Sequence, residues 1–519
     1  MGRRAAKALG WYRGATWSVV FLWLGFYLAV YGLHAYALLH FPFDYDQGEG
    51  YDVNSAWLLS QGLSIYASPD QYPFYSSNYP PLFSLLLAPA VALFGPRLAL
   101  GRLLSLGATA LAAAVVARAV QGETGRWRPA LLAGLFFLAS PYVYHVTPLA
   151  RVNALMLALA LCGVYAAGRA ARAEGTAGRR WLALSGALLL AALYSKQMAL
   201  DAAAAAVLYV FLRDRRRGLA LGGGVLLVGG ALYLALDLAT AGGFSLNVLW
   251  ANANPFSLEQ AVAYFRNFLE IHPLLVLGAL ALVLGALVRG GLRGLSVYAL
   301  YLLAGLAVAL GTGKWGAGES YFQTAIAAAC VLFGCVLARV EGTIERLVRS
   351  GRAVGGGRPL LAAGALASAA FVLLLGQLLL LWHGPWERAA WGAYDRGVQA
   401  SMLGRLPTLA DVAAGSHIAD YLVNAPGDVL AEESAFALVA RRRVLGNATQ
   451  QRNLYAAGRH DPAALVAALA SGEISVVVLN GQQYPAPVLA AIGQNCYLEE
   501  AVDVNGGHYL VLLSGRRSR

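Results

Sequence analysis

Eleven predominantly apolar stretches recur along the first 381 residues: 17–40, 98–120, 129–147, 153–171, 181–195, 198–212, 219–240, 273–288, 295–312, 321–338 and 360–381. A helix needs about 20 such residues to cross the hydrocarbon core of a bilayer. In lipid every backbone N–H and C=O must be satisfied within the chain, so such stretches fold as packed helices. Composition agrees. Of 519 residues, 59% are hydrophobic and 13% charged, against about 25% charged in soluble domains. A disordered chain and a large soluble enzyme are excluded. The basic start MGRRAAKALGWYRG runs into 17–40, which is too long for the core of a cleaved signal and lacks a small-residue cleavage site. An uncleaved first span is expected. The stretch 81–95 is short and broken by Pro89, and reads as a helix lying in the interface.

Charge orients these spans, because cytoplasmic loops are enriched in Lys and Arg. With the N-terminus inside, 22 of the 39 basic residues fall in inside segments and six in outside loops or span ends. The expectation is a multi-pass protein of the plasma (inner) membrane with a cytoplasmic N-terminus. The net charge of +12 is then a topology signal. No basic patch is interleaved with aromatics, so no nucleic-acid partner is expected. The four cysteines show no metal-site or disulfide spacing.

After 381 the character changes. Residues 385–519 hold 11 basic and 12 acidic residues. DVLAE (428–432), SVVVLN (475–480) and HYLVLLS (508–514) predict strands. DPAALVAALASG (461–472) predicts a helix capped by Asp461 and closed by Gly472. The chain divides into a transmembrane domain, 1–384, and a small α/β domain, 385–519, on the periplasmic or extracellular side.

The first outer loop, about 41–97, carries the densest chemistry. Asp44, Asp46, Glu49 and Asp52 lie among Phe41, Phe43, Tyr45, Tyr51, Gly48 and Gly50. Acids at a membrane surface are costly unless solvated, paired or working. DVNSAWLLSQG predicts a surface helix capped by Asp52 or Asn54. Cations face the same side: Arg151 and Asn153 in TPLARVNAL, Lys196 in YSKQM, and Lys314 with Glu319 and Tyr321 in GKWGAGESYF. The plain alternatives are a solvated acidic loop and local pairs, Lys196 with Asp201 and Lys314 with Glu319. An amphipathic segment at 257–271 could cover a groove.

The ordered set of segments resembles a known group. The acidic first loop is followed by Gln61-Gly62, Ile65-Tyr66, NYPPL (78–82), LFGPR (93–97), GRLLSL (101–106), ARVNALM, a Ser-Lys-Gln turn and a Gly-rich turn ending in Tyr-Phe. It is similar to the polytopic GT-C glycosyltransferases of the protein O-mannosyltransferase, aminoarabinose-transferase and RgtA-like group, over roughly 15–340. The resemblance implies a GT-C-like helical membrane fold and inverting transfer of a sugar from a polyprenyl-phosphate donor on the outer face. The acceptor is an unspecified lipid, polysaccharide or protein. It implies a first-loop acid as general base: Asp46 or Glu49, with Asp44 in support. It implies cations on the donor phosphate, for which Lys196, Arg151, Lys314 and Arg102 are the candidates. Asn153, Tyr79, Glu319 and Tyr321 are expected to bind substrate. No cofactor is certain, though four acids could hold a divalent metal. Many members have an adjacent Asp-Glu pair where this chain has Asp46-Gln47-Gly48-Glu49, and an Asp where it has Asn153. The alternatives are a transporter or flippase, which should carry ionisable residues at the midplane in repeated broken helices, and a non-catalytic scaffold with an outer binding domain.

Overall fold

The computed structural model describes residues 2–354, 357–381 and 406–515. The expected domain boundary at 384/385 lies outside them. Each apolar stretch expected to span contains helix, but 129–147 is broken at Ser140, where Trp127–Ala139 ends and a four-residue helix, Pro141–Tyr144, follows. Among the described residues, seven helical segments are long and apolar enough to cross a membrane: Arg4–His40, Leu98–Thr124, Val152–Ala170, Arg215–Ala239, Pro273–Gly294, Glu319–Arg352 and Gly357–Leu381. Trp127–Ala139 and Val297–Gly313 are apolar but shorter. The 14-residue helix Leu200–Arg213 reaches only about 21 Å at 1.5 Å per residue. Leu82–Phe94, 13 residues long, is likewise too short to span, as its sequence indicates.

The protein is a multi-pass membrane protein, and its perimeter shows it. Arg215–Ala239 carries Leu226, Leu227 and Leu238, each at least 75% exposed. Such a surface suits lipid and not water. The central helix Val152–Ala170 is rich in Ala and Gly and largely buried. Gly163 lies so close to Leu189 of Gly175–Ser195 that a Cβ there would approach Leu189 to 2.9 Å. Small residues let membrane helices approach closely, where dispersion holds them.

Two helices and the loop between them frame the end of the bundle that matters for function. We label Gly2–His40 α1 and Glu49–Ser60 α2. Helix α2 begins earlier than its sequence suggests. Its N-cap is Gly48 at φ 129°, with no side-chain cap. Asp52 therefore sits inside the first turn and does not cap α2. Gly48 is required twice over: its φ is one that L side chains rarely adopt, and a Cβ would collide with the Arg151 guanidinium.

The C-terminal domain is a four-stranded sheet in the order β1-β2-β4-β3. Its strands are β1 Asp428–Ala431, β2 Ile474–Leu479, β3 Cys496–Val504 and β4 Gly507–Ser514. Strands β1 and β2 are parallel, and β4 is antiparallel to β2 and β3. Alternate residues point to opposite faces of a strand. Here the two faces enter two cores. Val429, Ala431, Val476 and Val478 join the core that contains Phe43 and Tyr51 of the membrane domain. Leu430, Val477 and Leu479 pack on Leu465, Leu469, Val488 and Ile492 of the domain's own helices. The domain is thus seated on the bundle by one sheet face. Strand β3 has no counterpart in the sequence reading, because its alternation is weak: Glu499 and Glu500 stand in mid-strand. The helix Ala463–Ser471 ends at Gly472 in the left-handed conformation, as expected. Its N-cap is Pro462, while Asp461 accepts from the Ala463 N–H at 3.0 Å.

The seat is tight at Gly50, where a Cβ would lie 2.6 Å from the Ala435 backbone nitrogen. Overpacking a closed contact costs about 1–3 kcal/mol. Gly50→Ala is expected to speed release of C-terminal fragments in limited proteolysis of the purified protein. Unchanged cleavage would show that the seat yields freely.

Candidate active site

The four acids clustered at 44–52 take three different fates. Asp44 is buried, and both oxygens are committed: Oδ1 accepts from the Gly50 N–H at 2.6 Å and Oδ2 from the Ala435 N–H at 2.8 Å. It ties the loop to the C-terminal domain. Burial, followed by the charge of Glu49, pushes its carboxyl up.

Glu49 is sealed. Its carboxylate meets Arg102 of Leu98–Thr124 through two hydrogen bonds, Nε to Oε1 at 2.8 Å and a terminal nitrogen to Oε2 at 2.7 Å. The N–H groups of Ala150 and Tyr45 complete its shell at 2.7 and 2.9 Å. Both ionic side chains are fully buried. Burial alone would raise the Glu49 pKa, but the Arg102 charge and the hydrogen bonds outweigh it and hold the carboxyl below its usual value. Arg102 also donates to the carbonyls of Leu38, Phe41 and Phe43. This cluster binds the end of α1 to the start of α2. Neither Glu49 nor Arg102 lines the cavity described next.

Asp46 and Asp52 do line it. A cavity of 620 Å³ opens between the first loop, the start of Val152–Ala170, the turn after Gly175–Ser195, the 310s loop and the C-terminal domain. Arg151 is its organising cation. One of its terminal nitrogens donates to Asp46 Oδ2 and to the Gln47 carbonyl, each at 2.8 Å, and the other to the Tyr79 hydroxyl at 3.3 Å. Arg151 Nε lies 3.2 Å from Asp52 Oδ2. Asp46 keeps 37% of its side chain exposed to the cavity. Its Oδ1 takes no hydrogen bond among the described residues. Asp52 is buried, and burial pushes its pKa up to about 7 against the pull of Arg151 and Lys196.

Lys196 sits at the break between Gly175–Ser195 and Leu200–Arg213. Its Nζ donates to Asn153 Oδ1 at 2.6 Å and lies 5.4 Å from the ring centroids of Tyr79 and Tyr321. It is not paired with Asp201, which bonds the Ala202 N–H. Asn153 thus stands as the uncharged partner of a lysine. Burial, then repulsion from Arg151, lowers the Lys196 pKa to about 7. Lys314, Glu319 and Tyr321 also line the cavity. The 310s loop is fixed by backbone pairing of Phe256 with Lys314 and by the Trp315 N–H on the Pro255 carbonyl at 2.9 Å. The amphipathic segment forms Leu258–Ile271, capped by Ser257, and adds Tyr264 to the wall.

Of the residues singled out from sequence, the cavity gathers Asp46, Arg151, Asn153, Lys196, Tyr79, Lys314, Glu319 and Tyr321. It leaves out Asp44, Glu49 and Arg102. The sequence reading did not assign Asp52, Asn252, Asn254, Trp315 or the contribution of the C-terminal domain: Asn447, Thr449, Asn453 and Gln483. The polar clusters ANANP and NATQQRN were the available signal. Among the described residues no group of three or more His, Cys, Asp or Glu is arranged to hold a metal ion. The four acids that suggested one are divided between Arg102, Arg151 and backbone N–H groups. A larger cavity, of 1120 Å³, lies at the other end of α1 among Lys7, Trp11, Trp127 and Arg128. It has no carboxylate on its wall and cannot supply a base.

A helical membrane bundle carrying an acid-and-cation cavity at one end, closed by a small sheet domain, is an architecture that solved structures share. The fold is that of the GT-C superfamily of polytopic membrane glycosyltransferases. Residues 78–239 match the family described as dolichyl-phosphate-mannose-protein mannosyltransferase. The structure of ArnT from Cupriavidus metallidurans bound to undecaprenyl phosphate is similar at TM-score 0.57 and 16% identity, over 96% of this chain and 99% of that one. Its apo state gives a TM-score of 0.58 at the same identity and coverage. The archaeal oligosaccharyltransferase AglB from Archaeoglobus fulgidus, in complex with an inhibitory peptide and a dolichol-phosphate, is similar at TM-score 0.50 and 11% identity, over 93% of this chain and 74% of that one. No curated protein matches the chain.

Proposed function

We propose that this protein is an inverting glycosyltransferase. It moves a sugar from a polyprenyl-phosphate donor to an acceptor hydroxyl on the outer face of the plasma membrane, with its N-terminus in the cytoplasm and its C-terminal domain outside. The observation that carries this reading is the division of the acids. Among the four clustered acids Asp44, Asp46, Glu49 and Asp52, only Asp46 combines cavity exposure with an uncommitted oxygen, and it is held beside two cations.

The reaction needs a base and a place for departing phosphate. The acceptor oxygen attacks the anomeric carbon from the face opposite the phosphate, and its proton passes to Asp46 Oδ1. A general base contributes typically about 10²–10⁴-fold. As the new bond forms, the bond from the anomeric carbon to the phosphate oxygen breaks. The polyprenyl phosphate leaves as an anion and needs no proton. Lys196 and Arg151 face that developing charge in a partly water-excluded site, where fixed charges are most effective. The family match at 78–239 and the undecaprenyl-phosphate and dolichol-phosphate ligands of the structural relatives support this donor class. A transporter reading has no such support, because the buried ionic cluster belongs to one end of the bundle.

The test is transfer of radiolabelled sugar from a panel of polyprenyl-phosphate hexoses and pentoses in membranes that contain the protein. Label that stays on the lipid in every case, with native envelope extract supplied as acceptor, would overturn the reading.

Lys196 sets the pH dependence of donor binding. With its pKa lowered to about 7, the cation is present below that pH and lost above it. Asp52, raised to about 7, becomes an anion over the same interval and repels phosphate. Both changes have one sign: donor affinity is expected to fall as pH rises from about 6 to about 8. Lys196→Arg should flatten the Lys196 contribution, because arginine stays charged throughout. Affinity that rises with pH would show that Lys196 does not meet the phosphate.

A further inference from the structure

The cavity has a second polar group beyond its ions. Four amide side chains line it and spend their NH2 groups in the same way. Asn252 donates to the carbonyls of Asn78 and Val248, each at 2.9 Å. Asn254 donates to the Trp315 carbonyl at 2.7 Å, Asn453 to the Ala251 carbonyl at 3.2 Å, and Gln197 to the Val248 carbonyl at 3.2 Å. A carbonyl can only accept, so each partner fixes the amide orientation and turns its oxygen away from the backbone it holds. None of the four oxygens takes a hydrogen bond among the described residues. Those of Asn254 and Gln197 are buried as well. A buried acceptor without a donor is costly, and two of them beside two open ones on one wall point to a ligand.

We propose that this wall is the acceptor-substrate subsite and that it takes a neutral, hydroxyl-rich molecule, a saccharide; the inference rests on the glycosyltransferase reading above. The amide oxygens ask for donors. Phosphate and carboxylate have none to give, so an anionic headgroup does not fit. An ammonium group would supply donors, but it would meet Lys314 on the same cavity wall and Arg452, which lies 4.4 Å from the Trp315 ring centroid. An extended peptide presents one C=O for every N–H, whereas each sugar hydroxyl can donate to an amide oxygen and accept from the second N–H that Asn254, Asn453 and Gln197 each keep. Sugar hydroxyls give the required donors without charge. Trp315 adds an aromatic surface for the C–H face of a pyranose. The residues that the C-terminal domain brings to the cavity, Asn447, Thr449, Asn453 and Gln483, are all neutral and polar, so an acceptor arriving from the aqueous side meets this surface first.

The experiment uses the full chain in lipid nanodiscs, free of maltoside detergent. Saturation-transfer NMR is recorded with neutral trisaccharides of glucose, mannose and galactose, a Ser/Thr-rich peptide, spermidine and glucosamine 1-phosphate. At least one trisaccharide should bind in preference to the other probes. Asn254→Ala and Asn453→Ala should each weaken that binding by about tenfold, the loss of one buried hydrogen bond. Asn453 is only half-buried, so its variant tests the wall even if Asn254→Ala fails to fold. Asp46→Asn should bind the trisaccharide as well as wild type while losing transfer. Tighter binding of the peptide, spermidine or the phosphorylated sugar, or full affinity in Asn453→Ala, would overturn the proposal. Saccharide binding without any sugar transfer would instead overturn the enzyme reading and leave this subsite standing.

Discussion

Asp46→Asn should lower sugar transfer by about 10²–10⁴-fold, the range for loss of a general base, with expression and thermal stability close to wild type. The amide keeps the shape of the carboxyl and an oxygen to accept from Arg151. It removes the lone pair that takes the acceptor proton. Asp46 is 37% exposed, so losing its charge leaves no sealed cation without a partner. The measurement is initial rate at saturating donor, which separates loss of chemistry from loss of binding. Because Arg151 is freed from one anion, donor KM should hold steady or fall while kcat collapses. An Asp46→Asn protein with near-normal kcat would move the base to another cavity acid, Asp52 or Glu319.

Glu49→Gln should fail in a different way. It removes the charge that balances a fully buried Arg102. Breaking one partner of such a pair costs about 3–5 kcal/mol, because the remaining ion is buried alone. That is a large share of the roughly 5–15 kcal/mol that holds a domain folded. The expected result is poor recovery of monodisperse protein and a lowered Tm, with any loss of activity following the loss of fold. Replacing both residues with leucine should not restore stability. The carbonyls of Leu38, Phe41 and Phe43 and the N–H groups of Tyr45 and Ala150 would all lose their partners, each at about 1–3 kcal/mol. A stable Glu49→Gln protein with intact Tm and no activity would return Glu49 to the chemistry.

These two acids show where sequence reading stops. The membrane helices were legible because hydropathy acts on each segment by itself. The crowding of acids before α2 was legible as an anomaly, and so was the gathering of Arg151, Lys196 and the 310s loop on one face. Which acid stays open was not. Asp46 and Glu49 are three residues apart in similar company, and they are told apart by Arg102 and Arg151, which arrive from distant helices. Gly48 decides the matter locally: its positive φ starts α2 at Glu49, turning that carboxylate inward and leaving Asp46 in the loop. The wall from the C-terminal domain was invisible for a related reason. Asn453 reaches the cavity only because one face of the sheet is buried on the bundle.

Glu432 bears on how such an enzyme can be rebuilt. Its carboxylate is ringed by the backbone N–H groups of Asn480, Gly481, Gln482 and Gln483, and its carbonyl accepts from the Tyr51 hydroxyl at 2.8 Å. One residue thus sets the height of the turn that carries Gln483 and anchors α2, the helix that follows the acidic loop. The soluble portion is therefore not an interchangeable cartridge. A chimera that imports a relative's C-terminal part to change acceptor choice must import the matching stretch around 44–51 with it, since the two were cut to one template.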